Sequence, residues 1–325
     1  MNRVLVTGGV GFIGSSLVDA LLQSGNEVVV FDHFSKDSQG NLSNWSANQK
    51  FKLVRGDMLD RSSLMNVVDS CNTVFHLAAN SDVRIGASDT KLDYEQNILA
   101  TYNLLEAMKN SNNTQYKKII FTSTSAVYGE TLIVPTSETN SALIPISLYG
   151  ASKLACEAMI SAYCHMFGMS GVVFRLANVI GARSTHGVVY DFVMKLFTNP
   201  KYLEILGDGQ QNTSYLYIDD CINALMCAGK IQKTFEVFNA GSNDRIKVLD
   251  IANIIIKELS LYNVSLKFTT GIEGRGWKGD IKEMLLDSSK LCAFGWKAKY
   301  NSREAVILAT HKIIKKLRMR DKRNH

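Results

Sequence analysis

The chain has 325 residues, 46% hydrophobic and 20% charged, with a net charge of +6. That length suits one large α/β domain with a smaller lobe, and no apolar run approaches the roughly 20 residues of a membrane helix. Six cysteines without CxxC spacing and six histidines without ligand spacing argue against disulfides and a bound metal, and they suit a reducing cytoplasm.

Met1 leads almost directly into the first apolar run, so a secretory signal is not expected. That run, Val4 to Gly8, is β-branched and stops at glycine, which predicts a buried parallel strand. Gly8, Gly11 and Gly14 follow at three-residue intervals. Gly8 permits a tight turn, Gly11 lets a pyrophosphate approach the backbone, and Gly14 lets a helix pack on the strand. Ser15 to Gly25 reads as that helix, with Leu17, Leu21 and Leu22 inward. Its free N–H groups and dipole favour an anion. A second strand, Glu27 to Asp32, closes on an acid. A carboxylate there binds ribose hydroxyls and repels a 2′-phosphate, which selects NAD over NADP. Asp57 follows Leu53 and Val54, where it can reach an adenine or cap its own turn. His76 ends a further strand and reads as a packed core histidine.

Lys117 to Gly129 forms a strand that ends in the hydroxyls Ser123, Thr124 and Ser125. In a doubly wound sheet the carboxyl ends of the strands face the ligand crevice. Ser147 to Gly168 reads as a helix with an apolar stripe at Ala155, Met159 and Tyr163. Tyr149 and Lys153 lie four apart on it and share a face. A free phenol titrates near ~10, and a neighbouring lysine cation and a nicotinamide cation both favour its phenolate. The pair makes a general base. The basic stretch His311 to His325 reads as a solvated helix end, so neither nucleic acid nor membrane is expected as a partner.

The chain resembles the extended short-chain dehydrogenase/reductase family, and within it the nucleotide-sugar epimerases, UDP-galactose 4-epimerases above all. The carrying segments are TGGVGFIG (Thr7 to Gly14), FHLAAN (Phe75 to Asn80), NILAT (Asn97 to Thr101), STSAVYG (Ser123 to Gly129), YGASK (Tyr149 to Lys153), FRLANVIG (Phe174 to Gly181), YLYIDD (Tyr215 to Asp220) and the stretch Gly276 to Trp296. The run His186 to Leu196 is similar to one in some archaeal sugar epimerases.

The resemblance implies a Rossmann-type doubly wound parallel sheet with a smaller α+β substrate lobe. The NAD domain would span 1–177 with a return segment near 213–240, the lobe 178–212 and 241–318, and a basic tail 319–325. It implies Thr124, Tyr149 and Lys153 as catalytic residues. Phe12, Ile13, Met58, Leu77, Ala78, Ala79 and Asn97 would join the glycines, Asp32, Asp57, Tyr149 and Lys153 around NAD. Asn178, Val188, Tyr190, Arg275 and Met284 would join Thr124 around the sugar nucleotide, with Met284 beside the sugar's C2 substituent. Two usual phosphate-binding arginines are replaced, by Thr213 and Trp277, which leaves Arg275 to supply part of the charge. A homodimer is implied through helices near Leu92 to Lys109 and Leu148 to Phe167, with Ile98, Tyr102 and Leu105 as candidate buried positions.

Related 4,6-dehydratases carry an Asp-Glu pair after the catalytic hydroxyl, where this chain has Ser125 and Ala126. Elimination is therefore disfavoured, and C4 epimerisation of UDP-glucose and UDP-galactose is the expected reaction. The alternatives are an epimerase of a UDP-N-acetylhexosamine or UDP-uronate, a nucleotide-sugar reductase or dehydratase, and a non-enzymatic NAD-binding regulator.

Overall fold

A computed structural model describes residues 3–34, 45–112, 117–269 and 272–324. In chain order the elements are β1 (Arg3–Thr7), α1 (Phe12–Gln23), β2 (Glu27–Asp32), β3 (Phe51–Arg55), α2 (Arg61–Val68), β4 (Thr73–His76), α3 (Thr90–Asp93), a π-helical turn (Tyr94–Leu99), α4 (Ala100–Asn110), β5 (Lys118–Thr124), α5 (Leu148–Phe167) and β6 (Ser170–Leu176). There follow β7 (Asn178–Ile180), α6 (Val188–Thr198), β8 (Tyr202–Ile205), β9 (Asn212–Thr213), β10 (Tyr215–Tyr217), α7 (Ile218–Cys227), β11 (Phe235–Ala240), β12 (Ile246–Lys247), α8 (Val248–Glu258), β13 (Ser265–Phe268), β14 (Glu283–Met284), α9 (Ser289–Cys292) and α10 (Ser302–Asn324).

Seven strands form one sheet in the order β11-β6-β5-β4-β1-β2-β3. β1 pairs in parallel with β2 and β4, β2 with β3, and β4 with β5. The order reverses at β1, the switch point of a doubly wound sheet. The strands lie where the β-branched runs predict, and β2 covers Glu27–Asp32 as expected. Leu5, Val29, Phe31, Val74, Ile119, Phe121 and Val173 build one core with Leu104, Leu105 and Met108 of α4.

The buried face of α5 extends beyond the expected stripe, of which Met159 and Tyr163 pack against the same core. It carries Lys153, Cys156, Glu157, Ile160 and Cys164, while Ala155, Met159 and Tyr163 stay partly covered. The reason is a buried ion pair. Arg175 Nη2 donates to Glu157 Oε2 at 2.7 Å, and a buried charge must be paired. The expected helix over Leu92 to Lys109 is likewise broken by the π-helical turn at Tyr94–Leu99. Leu105 lies wholly in the core, so it is no part of an outer face.

The chain divides into two compact units. The first comprises Met1–Val127, Leu148–Arg175 and Ile222–Phe238, and the second Tyr128–Ser147, Leu176–Cys221 and Asn239–His325. This differs from the expected 1–177 and 213–240. The segment 128–147 goes with the second unit because Asn239 binds it: Asn239 Nδ2 donates to Thr136 O at 2.9 Å, and Tyr128 Oη donates to Asn239 Oδ1 at 2.8 Å.

In the second unit β7 pairs with β10 and β8 with β13 in parallel, and β9 lies between β12 and β14. Helices α6, α8 and α10 pack on one another, burying Phe192, Val193, Ile251, Ile255, Val306 and Ala309. The backbone of α10 continues through most of the expected tail, whose side chains beyond Met319 lie outside the described residues. No described helix is long and apolar enough to cross a membrane.

Candidate active site

The glycine loop is built as its spacing requires. Gly8 has φ 68°, and a Cβ on it would lie 2.7 Å from Ala78 N. A Cβ on Gly14 would collide with Gly8 O. On Gly11 a Cβ would meet only Gly8 O, at 3.3 Å, so the outer side of the loop is open to an approaching group. Gly11 caps α1 without a side-chain acceptor, which leaves the N–H groups of the first turn, from Phe12 and Ile13 onward, facing outward. Asp32 ends β2. Its Oδ2 accepts from Val10 N at 3.0 Å and its Oδ1 from Phe34 N at 2.9 Å. Each oxygen keeps a second lone pair for a hydroxyl donor. These features fit a dinucleotide.

The remaining expected cofactor residues divide. Leu77 N donates to Thr7 O at 3.2 Å and Ala78 N to Thr7 Oγ1 at 3.3 Å, which sets the chain from Leu77 to Ala79 against the glycine loop. Asp57 is exposed, and its Oδ1 accepts from Leu59 N at 2.9 Å, the turn-capping alternative. Met58 is buried, and its carbonyl accepts from Asn103 Nδ2 at 3.2 Å. Asn97 is buried with its amide engaged: Oδ1 accepts from Asn80 N at 2.9 Å and Nδ2 donates to Ser152 Oγ at 2.8 Å. The Asn97 side chain therefore braces the loop after β4.

His76 is a core histidine, as expected. Burial first, and the Lys153 charge second, push it down to about 3, so the ring is neutral. Thr101 Oγ1 donates to Cys156 Sγ at 3.2 Å, so it accepts from His76 Nε2 at 3.0 Å. Nδ1 then accepts from Thr7 Oγ1 at 2.7 Å. The chain of bonds joins the glycine loop to α5, and the sequence offered no spacing that would reveal it.

Tyr149 stands in the first turn of α5 and Lys153 one turn on. Lys153 is 3% exposed. Its Nζ donates to Thr122 O at 3.0 Å and lies 5.9 Å from the centre of the Tyr149 ring. Burial pulls its amine down to about 8, against the opposing effects of Cys156, Glu157 and Asp93. Burial also pushes the Tyr149 phenol well above its ordinary value, aided by Asp93 and Cys156. In the protein alone, desolvation outweighs the lysine.

Of the three hydroxyls at the end of β5, Ser123 is structural. Its Oγ donates to Glu157 Oε1 at 2.5 Å, inside the Arg175 pair. Thr124 is only partly buried, and its Oγ1 accepts from Ala126 N at 3.2 Å, which keeps the hydroxyl proton for another partner.

In the second unit Asn178 is exposed and donates from Nδ2 to Thr213 Oγ1 at 3.0 Å. Val188 opens α6, with Tyr190 in its first turn. Arg275 is not free: Nη2 donates to Glu130 Oε2 at 2.8 Å and Nη1 to Asp280 O at 2.6 Å. Glu130 was not anticipated, because 145 residues separate it from its partner. Met284 is 3% exposed and pairs in β14 with Thr213. It packs in the interior of the unit, which disfavours the expected role beside a sugar substituent.

A family model described as GDP-mannose 4,6 dehydratase matches residues 5–307. A crystal structure of a UDP-galactose 4-epimerase is similar at TM-score 0.85 and 36% identity, covering 97% of this chain and 99% of that one. A UDP-glucuronic acid 4-epimerase from Bacillus cereus, solved with UDP-glucuronic acid and NAD, is similar at TM-score 0.86 and 31% identity, with coverage of 97% and 99%. A UDP-glucose 4-epimerase from Mycolicibacterium smegmatis is 33% identical over 246 residues, 74% of this chain and 77% of that protein. The matched span runs through the glycine loop and the tyrosine–lysine helix alike, and on that ground the chain belongs to the extended short-chain dehydrogenase/reductase family, among its nucleotide-sugar epimerases and dehydratases.

Proposed function

We propose that this chain is an NAD-dependent 4-epimerase that interconverts UDP-glucose and UDP-galactose through a transient 4-keto sugar. The observation that carries the reading is the first unit's own machinery. Tyr149 and Lys153 share the start of α5, Lys153 is buried and bonded to the strand that ends at Thr124, and no carboxylate follows Thr124. Ser125 and Ala126 cannot do the acid–base work of an elimination near neutral pH.

The residues that would hold NAD are those of the glycine loop and α1, with Asp32 on the ribose. NAD held there would supply the reversible acceptor for the hydride of the sugar's C4. Tyr149 accepts the proton of the C4 hydroxyl and later returns it to the same oxygen on the other face. Thr124, whose Oγ1 already accepts from Ala126 N, donates to that oxygen and orients it. Lys153 keeps a positive charge close to the phenol ring. In the second unit, Asn178, Val188 and Tyr190 are assigned to the nucleotide. Arg275 serves the diphosphate only if Glu130 releases it. The names of the neighbours, which span galactose and glucuronate sugars, support the reaction more strongly than the choice of sugar.

We also propose a homodimer. Tyr102 on α4 is 37% exposed and Met166 on α5 is 71% exposed, with Phe167 beside it. These side chains lie on the helix pair that the resemblance implies as the interface.

The test is incubation with UDP-glucose, UDP-galactose, UDP-N-acetylglucosamine and UDP-glucuronate in turn, with products resolved by chromatography. The expected result is interconversion of the first two with NAD retained. Stoichiometric release of NADH would instead identify a dehydrogenase.

A further inference from the structure

α3 ends at Asp93, immediately before the π-helical turn, and this carboxylate is 1% exposed. Its Oδ1 accepts from Asn80 Nδ2 at 2.9 Å and from Asn97 Nδ2 at 3.3 Å. Asn97 Nδ2 also donates to Ser152 Oγ at 2.8 Å, and Ser152 Oγ donates to the Tyr149 carbonyl at 2.8 Å. One carboxylate thus joins the loop after β4, the π-helical turn and the first turn of α5. The chain of bonds ends on the backbone of Tyr149. Single π turns inside helices occur often at functional sites.

The other oxygen is unusual. Oδ2 meets no hydrogen-bond donor among the described residues. It lies against Gly86, where a Cβ would collide with it and would stand 3.5 Å from Leu148 Cβ, the residue before Tyr149. A buried charge with half of its acceptor capacity unused costs free energy. A neutral amide would accept the same two bonds through one oxygen. Packing and hydrogen bonding therefore do not account for the charge.

We propose that Asp93 is a positioning residue for the Tyr149 base: through Asn97 and Ser152 it fixes the first turn of α5, and its second oxygen sets a buried negative charge at Gly86, beside the residue that precedes Tyr149. The inference rests on the epimerase reading only for the role of Tyr149. A negative charge near a phenol disfavours the phenolate, and after burial Asp93 is the largest influence that raises Tyr149. Cys156 acts in the same direction, and Lys153 faces the ring at 5.9 Å. Lys153 in turn faces Cys156, Glu157, Asp93 and the neutral His76. In this setting the phenol yields its proton only when further positive charge comes beside it. Proton removal is thereby linked to a bound, oxidised cofactor.

Asp93→Asn keeps the shape and both accepted bonds and removes the charge. Tyrosinate formation is followed by ultraviolet difference absorbance in the NAD-loaded protein, with Tyr149→Phe subtracted. The Tyr149 titration is expected to move down by roughly one pH unit. A titration that stays in place or moves up, in a variant with an unchanged melt, would overturn the proposal. Asp93→Ser is a second charge-free variant with less bulk against Gly86, and the same downward shift is expected of it if Asp93→Asn does not fold. Asp93→Ala also removes the hydrogen bonds, and kcat for UDP-galactose is expected to fall by about 10- to 100-fold with KM nearly constant. A rise in KM with kcat intact would contradict a positioning role. The absorbance titration needs no sugar, so a downward shift without any turnover of UDP-sugars would keep this inference and overturn the epimerase reading.

Discussion

Lys153 Nζ donates to the carbonyl of Thr122 at 3.0 Å while lying 4.6 Å from the centre of the Phe121 ring. The contact ties the helix of the base to the strand of the hydroxyl. It also takes a cation out of water, and the amine is pulled from its ordinary 10.5 to about 8. Between these values the unfolded chain binds more protons than the folded one, so stability rises with pH across that window. Below about 8 the buried charge costs on the order of 3 kcal/mol. Wild type should therefore gain stability relative to Lys153→Met as pH is raised from 8 to 10.5, read as the difference between their urea midpoints. A constant difference would show that Lys153 is not desolvated in solution.

Tyr149→Phe should lower turnover by roughly 10²- to 10⁴-fold, the usual contribution of a general acid–base group. The ring still packs, so NAD should remain bound, as cofactor fluorescence or calorimetry would show. Near-normal activity would remove Tyr149 from the mechanism.

His76 acts with the same sign at acid pH. It is neutral in the fold, at about 3, and titrates near 6.5 when unfolded. The unfolded state binds the extra proton between these values, so stability is full above 6.5 and falls as pH drops toward 3. The loss over that window is on the order of 5 kcal/mol. His76→Leu should be less stable at pH 7, because Thr7 and Thr101 lose their partner, yet its urea midpoint should fall less steeply on acidification.

Met284→Ser should act on stability and leave specificity alone. The side chain is buried beside the β9 pairing, so truncation should cost about 2–4 kcal/mol. The ratio of kcat/KM for UDP-galactose over UDP-N-acetylgalactosamine should stay within experimental error. A changed ratio with a normal melt would restore Met284 as a residue that senses the C2 substituent.

Sedimentation at micromolar concentration should show a dimer, and Tyr102→Glu with Met166→Glu should give a monomer. Both side chains are exposed on α4 and α5, so the substitutions should leave the fold of the chain intact. A wild-type monomer would refute the proposed assembly.

The local parts of this protein were legible in its sequence. The spacing of Gly8, Gly11 and Gly14, the acid that closes β2 at Asp32, and the four-residue step from Tyr149 to Lys153 are properties of one loop, one strand and one helix. Backbone geometry alone fixes what such short spacings can do. Tertiary structure decided the rest. Periodicity marked Ala155, Met159 and Tyr163 as the apolar stripe of α5 and missed Glu157, because it counts apolar residues and cannot see that Arg175 arrives from β6 to neutralise Glu157. The resemblance assigned Asn97 to the cofactor, and the fold engages that amide with Asn80 and Ser152. The resemblance left Arg275 available for a phosphate, and the fold sets Glu130 against it. Each of these contacts joins polar groups far apart in the chain or on different elements. The buried ones, Arg175–Glu157 and Asn97–Ser152, draw their strength from the low dielectric that exists only once the interior has closed around them, and no local pattern of residues encodes any of these pairings.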